Sequence, residues 1–242
     1  MSLLGIDFGG TFIKGGTVHS SMYVEHNPSI PTPNPSTPEN IFNAVKQWVL
    51  PEHTKIGFAI PCAVKNNRAL TSTNVDMGWQ SIELKQTAES ILGIDCTLIN
   101  DADAAAVAEI AEGYDLYGLT ILLTFGTGIG AAMIYNGTLI PNMEFGRMAM
   151  PFGIDSAEKY VSARIKKELH MDWDEYAYRI NKYLHYVCDM FQPDNIIIGG
   201  GVSDEWDAWG HMIEAPCNIR KAKLGNSAGL IGAALYADGF AN

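Results

Sequence analysis

Residues Leu4–Val18 read LGIDFGGTFIKGGTV: two short apolar runs flank Gly9-Gly10, with an aspartate near the end of the first and a lysine inside the second. Alone, the stretch has three readings: a hairpin with a tight turn, a phosphate cradle, or a protein-kinase activation segment whose metal-binding triplet is Asp7-Phe8-Gly9. The kinase reading is not expected to hold, because a nucleotide lobe and a catalytic loop should precede that triplet and only six residues precede Asp7. The other two are separated further along. Thr120–Phe125 and Ile129–Tyr135 repeat the strand–turn–strand device around Gly126-Thr127-Gly128-Ile129-Gly130. Glycine lets the main chain come close to a ligand, so that N–H groups converge on phosphate oxygens. A third run, Gly199-Gly200-Gly201, follows the apolar segment Asn195–Ile198. Singly, each is better explained as a tight turn. None is a P-loop, which needs GxxxxGK[ST], and Gly126 onward reads GxGxG between two strands, not the dinucleotide fingerprint ahead of a helix.

Each opening hairpin leads into alternating strands and helices. In the first half, Lys55–Pro61 reads as a strand, Ser81–Leu92 as a helix ended by Gly93, Cys96–Ile99 as a buried strand and Asp101–Gly113 as an alanine-rich helix. In the second half, helices fit Ser156–Leu169 and Trp173–Phe191, with a helical stretch over Asp204–Ile213 and a small-residue helix over Ala228–Phe240. Five prolines between Asn27 and Asn40 predict an exposed loop that is neither strand nor helix, because each fixes φ and removes a donor. Ser36 or Thr37 then caps a helix with Ile41, Val45 and Trp48 on one face. The pattern predicts an α/β fold with two similar lobes.

Composition narrows the partners. The 242 residues are 47% hydrophobic and 18% charged, as in soluble globular proteins. Sixteen basic against 27 acidic side chains leave a net charge of −11, which repels nucleic acid and anionic membrane surfaces. No charged, apolar leader opens the chain, and no apolar run approaches the ~18 residues of a membrane span, so a cytoplasmic protein is expected. Cys62, Cys96, Cys188 and Cys217 are scattered without metal-ligand spacing and read as reduced thiols. Asn136-Gly137-Thr138 is read as a β-turn and not as a glycosylation site.

One polar cluster stands out. Asn100-Asp101-Ala102-Asp103 lies between an apolar strand and an alanine-rich helix. A helix cap accounts for one such residue, but not for the whole run. A carboxylate at the carboxyl end of a buried strand is well placed for catalysis, so Asp101 is the candidate general base. Asp103, in the first helical turn, is better read as favoured by the helix dipole.

In their order and spacing, DFGGTFIKGG, NDADAA, LLTFGTGIGAA, PNMEFG, IIIGGGVS and NSAGLIGAAL resemble the ROK family of bacterial sugar kinases. NVDMGW and SARIKKELHMDWDEYAYRINKYLHYV are similar to its polyphosphate glucokinase branch. The resemblance covers nearly the whole chain. It implies the actin-like ATPase or sugar-kinase fold, two RNase-H-like lobes with an interlobe cleft. The small lobe would be 1–101, completed by a C-terminal helix at 226–242, and the large lobe 102–225. It further implies a first phosphate turn at Gly9, Gly10 and Thr11, with Asp7 near the phosphates or their Mg²⁺ and Lys14 in the family's lysine position. Gly126, Thr127 and Gly128 would form the second phosphate turn, and Gly199, Gly200 and Gly201 would lie against the rest of the donor. Asp101 would take the proton from the sugar 6-hydroxyl, with Asn74, Asn100, Glu144 and Arg147 around the sugar. Mg²⁺ and a polyphosphate or ATP donor are implied, and a homodimer is common in the family.

The chain departs from the family at three points. Arg147 stands where the family has a histidine beside the sugar, and a long permanent cation has a different geometry. Cys62 replaces the glycine of a Pro-Gly pair. The CxCGxxGCxE zinc loop is absent, as in the polyphosphate branch, so no zinc is expected. With the first phosphate turn at residue 9, no DNA-binding domain like that of ROK repressors is expected. The readings carried forward are a glucose kinase using polyphosphate, ATP or both; a kinase for mannose or an amino sugar; and a sugar-binding protein without turnover. For a polyanionic donor the basic candidates are Arg220, Lys221 and Lys223, or Arg164, Lys166 and Lys167, the second group being better read as solvated surface.

Overall fold

The computed structural model describes residues 2–71, 75–80, 82–113, 116–151 and 153–240; Asn74, expected near the sugar, lies outside them. Two compact units are formed, Met1–Ala111 with Ser227–Asn242, and Glu112–Asn226.

The first unit opens with β1 (Ser2–Phe8), β2 (Phe12–Val18), β3 (Val24–His26) and the short β4 (Ile30–Pro31). Then follow α1 (Pro38–Val45), β5 (His53–Ile60), the small hairpin of β6 (Val64–Lys65) and β7 (Arg68–Ala69), α2 (Leu84–Leu92), β8 (Cys96–Asn100) and α3 (Asp101–Ala111). The sheet order is β3-β2-β1-β5-β8, with β4 also on β2. The β1–β2–β3 pairs are antiparallel, whereas β1, β5 and β8 are parallel. Central parallel strands are covered on both faces, which is why the middle of β1 is an unbroken buried run, Leu3 to Ile6. Thr37 caps α1 by accepting from the Asn40 N–H at 3.3 Å, and Ile41, Val45 and Trp48 are buried as their spacing predicts. Gly93 ends α2 in the left-handed conformation at φ 74°.

The second unit begins with β9 (Leu119–Phe125), β10 (Ile129–Tyr135) and β11 (Thr138–Met143). It continues through α4 (Glu158–Val161), α5 (Ala163–Glu168), α6 (Trp173–Phe191), β12 (Asn195–Gly199), α7 (Trp206–Trp209) and β13 (Asn218–Lys221). Its order, β11-β10-β9-β12-β13, repeats the first sheet: two antiparallel pairs, then two parallel ones. Asn136 and Gly137, both at positive φ, form the two-residue turn of the β10–β11 hairpin. Helix α6 is capped by Asp172 and buries Tyr176, Ile180, Tyr183, Leu184 and Val187 at helical spacing.

The last helix, α8 (Ala228–Ala237), belongs to the first unit and packs on α3, β1 and β5. Its approach is close because three partners lack side chains. A Cβ on Gly5, Gly57 or Gly232 would collide with the carbonyls of Leu230, Ala233 and Ala104 respectively.

Five segments differ from their sequence reading. The proline-rich segment contains β4, because Pro31 sits on an edge where its missing N–H costs nothing. The helix expected over Ser156–Leu169 breaks at Ser162, whose extended backbone (ψ 155°) and hydroxyl, accepting from the Ile165 N–H, start α5 afresh. Within Asp204–Ile213 only α7 is α-helical, between two 3-10 turns. Strands β11 and β13 are half-exposed edges without clean apolar alternation, so their sequences carry little strand signal. Among the described residues no helix is long and apolar enough to cross a membrane.

Candidate active site

In the first unit the polar cluster lies where β8 becomes α3. Asn100 is the hinge of this junction. Its side-chain oxygen accepts from the N–H groups of Ala102 at 2.9 Å and Asp103 at 3.1 Å, capping α3. Its amide nitrogen donates to the Cys62 carbonyl at 3.2 Å, tying the segment after β5 to the end of β8. Asp101 is the first residue of α3 and half-buried, and its own Oδ1 accepts from the Ala102 N–H at 2.8 Å. Asp103 is buried in the first helical turn, so of the two carboxylates Asp101 is the one with access to solvent.

The first glycine turn joins β1 to β2. Asp7 faces Lys14 across these strands. Burial pushes the Asp7 carboxyl above the ordinary carboxylate range, while the Lys14 ammonium pulls it back. The carboxyl also packs against the first turn of α8, where a Cβ on Gly229 would come within 3.0 Å of Asp7 Cγ. The turn itself closes with the Gly9 N–H donating to the Phe12 carbonyl at 3.1 Å. A Cβ on Gly10 would meet nothing within 4 Å, and its φ is not positive, so folding does not require glycine there.

The second turn joins β9 to β10. The Gly126 N–H donates to the Gly128 carbonyl at 3.0 Å, and the Gly126 carbonyl accepts from the Arg164 N–H of α5 at 3.3 Å. Gly126, like Gly10, has open space where a Cβ would stand, and Thr127 is exposed. Gly128 is different. Its missing Cβ leaves room for Glu158, whose Oε1 accepts from the Ile129 N–H at 3.2 Å and also fills the space beside Gly146. Sequence reasoning missed Glu158, which lies in a stretch with no glycine run or repeated polar pattern. Only the fold brings it to the turn.

Glu158 acts electrostatically on Glu144. Burial raises the Glu144 carboxyl, Arg147 lowers it and the Glu158 charge raises it again. Arg147 Nε lies 3.1 Å from Glu144 Oε2, so the residue in the family's histidine position is spent partly on a carboxylate. With the guanidinium engaged by Glu144, two carboxylates beside it suit hydroxyl groups as hydrogen-bond partners better than they suit phosphate.

The third run ends β12. Gly200 has φ 79° and lies against the Phe125 backbone, so the fold itself demands glycine there. Its carbonyl accepts from the Ser203 N–H and hydroxyl. Gly201 has open space at its Cβ position, and Gly199 packs on Ala222. Among the described residues no group of three or more His, Cys, Asp or Glu side chains could hold a metal ion.

The repeated sheet topology, with a glycine turn between the first two strands of each unit and an acidic strand-to-helix junction, defines the actin-like ATPase fold of ROK sugar kinases. A model of the ROK family matches residues 3–150. The chain belongs to the ROK family. The polyphosphate glucokinase of Mycobacterium tuberculosis is 35% identical over 238 residues, covering 96% of this chain and 89% of the relative. That of Mycobacterium leprae is 34% identical over 242 residues, covering 96% and 73%. Among solved structures, the inorganic polyphosphate/ATP-glucomannokinase of Arthrobacter sp. strain KM superposes with a TM-score of 0.90 at 33% identity, over 98% of each chain. The ROK glucokinase of Streptomyces griseus, solved with glucose and AMPPNP, gives 0.82 at 25% identity over 98% and 99%.

Proposed function

We propose that this chain phosphorylates the 6-hydroxyl of glucose, drawing the phosphoryl group from polyphosphate and from ATP. The observation that carries the reading is the β8–α3 junction: Asn100 fixes the first turn of α3 from two sides, and Asp101 projects from that fixed turn. A carboxylate so held removes the hydroxyl proton as the sugar oxygen attacks phosphorus, and phosphoryl transfer draws most of its rate from such positioning and from charge neutralisation. The Gly9–Thr11 turn with Lys14 and the Gly126–Gly128 turn hold donor phosphates through backbone N–H groups. The open Cβ positions of Gly10 and Gly126 support this, since the fold leaves both glycines unexplained and close approach of a ligand explains them. Gly199–Gly201 lie against the rest of the donor.

Asn100, Glu144, Glu158 and Arg147 bind sugar hydroxyls, together with Asn74. Mg²⁺ accompanies the donor. Asp7 suits it, being a carboxylate at the end of β1 beside a lysine and a glycine turn, and Mg²⁺ sites commonly use one or two carboxylates plus phosphate oxygens. When bound, the ion would neutralise phosphate charge, with Asp7 holding it and the Lys14 ammonium opposing the effect of burial on the Asp7 carboxyl. We place the enzyme in the cytoplasm as a homodimer.

The Glu144–Arg147 pair favours a second acceptor. It occupies a carboxylate otherwise aimed at the sugar, and so relaxes discrimination between glucose and mannose. A coupled assay of both sugars against ATP and polyphosphate, on the wild type and Asp101→Asn, tests these readings together. Expected are turnover with both donors, a loss of at least about 100-fold in kcat on losing the base, and unchanged sugar binding. A near-normal kcat in Asp101→Asn overturns the assignment of the base, and sugar binding without turnover by the wild type overturns the kinase reading.

A further inference from the structure

The proline-rich segment ends in a residue that reaches back to the first glycine turn. Thr32, directly after β4, donates its hydroxyl to the Gly9 carbonyl at 2.6 Å and its N–H to the Thr11 carbonyl at 2.9 Å. A trans peptide points its C=O and the following N–H in opposite directions. Anchoring the Gly9 carbonyl to Thr32 therefore turns the Gly10 N–H the other way, out of the turn. The N–H groups of Gly10 and Thr11 donate to no group among the described residues, and that of Gly10 points away from the anchored Gly9 carbonyl. Without the Thr32 hydroxyl the Gly9–Gly10 peptide is free to flip, which would present a carbonyl oxygen where an anion is to bind. The segment is held in place independently of the hydroxyl, because β4 pairs Ile30 with Ile13 and Pro31 with Phe12.

The second unit shows the same arrangement with different parts. The Gly126 carbonyl is anchored to the Arg164 N–H, which turns the Thr127 N–H the opposite way. There the anchor is main chain, so a side-chain substitution does not remove it. In the first turn the anchor is a hydroxyl, and it can be deleted.

We propose that Thr32 is a positioning residue for the phosphoryl donor, its hydroxyl fixing the Gly9–Gly10 peptide so that the Gly10 N–H faces the donor phosphates. This rests on the reading of Gly9–Thr11 as a phosphate turn. The test compares the wild type with Thr32→Val, Thr32→Ser and Gly10→Asp. The measurements are KM for ATP, polyphosphate and glucose, and titration with a non-hydrolysable ATP analogue. Thr32→Val keeps the branched shape and the backbone N–H and loses only the hydroxyl. It is expected to raise KM for both donors and the analogue Kd by about 3- to 10-fold, the worth of one hydrogen bond. KM for glucose should stay within about twofold, and Thr32→Ser should recover most of the loss. The positioning role is overturned by an unchanged donor KM in Thr32→Val, by an equal rise in KM for glucose, or by Thr32→Ser as impaired as Thr32→Val. Should Thr32→Val not fold, Thr32→Ala against Thr32→Ser decides by the same criteria. Gly10→Asp separates the two levels: its side chain has room, and a carboxylate on a phosphate turn must raise donor KM. If it does while Thr32→Val does not, only the role of Thr32 falls. If neither does, the phosphate turn falls as well.

Discussion

Replacing Asn100 should damage the fold and the proposed chemistry by separable amounts. The side chain does two jobs: its oxygen caps α3 through Ala102 and Asp103, and its amide nitrogen holds the Cys62 carbonyl. Loss of an N-cap costs about 1 kcal/mol. Loss of one further hydrogen bond costs about another 1 kcal/mol. Asn100→Ala loses both, about 2 kcal/mol, which for a chain of this length lowers the thermal midpoint by about 4–8 °C. Asn100→Ser keeps a capping oxygen but cannot reach Cys62, so it should lose about half as much. Turnover should follow the cap, because Asp101 is the residue next to it. A misplacement of ~1 Å costs about 100-fold in rate, so kcat should fall much further in Asn100→Ala than in Asn100→Ser. Thermal unfolding followed by circular dichroism, with initial rates at saturating glucose and ATP, reads both effects. Equal midpoints for the serine and alanine variants would refute the capping argument. A lowered midpoint with a wild-type kcat in Asn100→Ala would refute its link to Asp101.

Two further outcomes are expected. His53 is buried, with Nδ1 accepting from the Leu50 N–H at 3.0 Å, which leaves its proton on Nε2 toward Thr17 Oγ1 at 2.9 Å. Burial lowers its pKa first of all, with Glu52 opposing and His19 adding to the shift. The unfolded chain thus binds this proton more readily than the fold does. Stability from this group is intact above the ordinary histidine range of about 6.5 and is lost as pH falls through the lower folded value. Thermal midpoints from pH 7.5 to 5 should drop less steeply in His53→Gln than in the wild type, and parallel curves would sink the attribution. At the end of the edge strand β13 and just beyond it, charge reversal at Arg220, Lys221 and Lys223 should raise KM for polyphosphate more than KM for ATP, increasingly so at low salt. Equal effects on the two donors would dispose of a polyphosphate track there.

What the sequence revealed, and what it hid, follows from how far apart the cooperating residues lie. The two hairpins, the buried strands β5, β8 and β12 and the helix α6 are written in local runs of apolar residues, and each was legible. The likeness of the two lobes could be inferred from the repeated strand–turn–strand device, though not the strand order. A cap somewhere in the Asn100–Asp103 run was legible as well, since residue type and position carry it, but not that Asn100 supplies it. Ser162 was not: a polar residue within a helical stretch does not announce that its hydroxyl will stop one helix and start another. Strand β13 was hidden because an edge strand needs little burial, and Asn218, Arg220 and Lys221 look like any solvated segment. Glu158 and Thr32 were invisible for a different reason. Each acts on a turn more than 20 residues away, and nothing in its own neighbourhood differs from ordinary loop chemistry.

That distance bears on how the glycine turns are to be understood. A two-glycine hairpin is common, and its glycines alone say only that the chain bends sharply. What separates an anion cradle from a bend is the direction of its peptide planes, and direction is decided by whatever holds the carbonyls. In the first turn a threonine hydroxyl from the proline-rich loop does this; in the second the first turn of α5 does, with Glu158 bracing the far side. The two units share strand order but neither these anchors nor the turn length, since Phe8 pairs with Ile13 and Phe125 with Ile129, so each sheet holds its turn by a separate route. Gly200 supplies the contrast. It belongs to an equally glycine-rich run, yet its positive φ and its contact with the Phe125 backbone account for it without any ligand. A glycine the fold does not need, on a peptide held from behind, is therefore a better sign of phosphate binding than the number of glycines in a row.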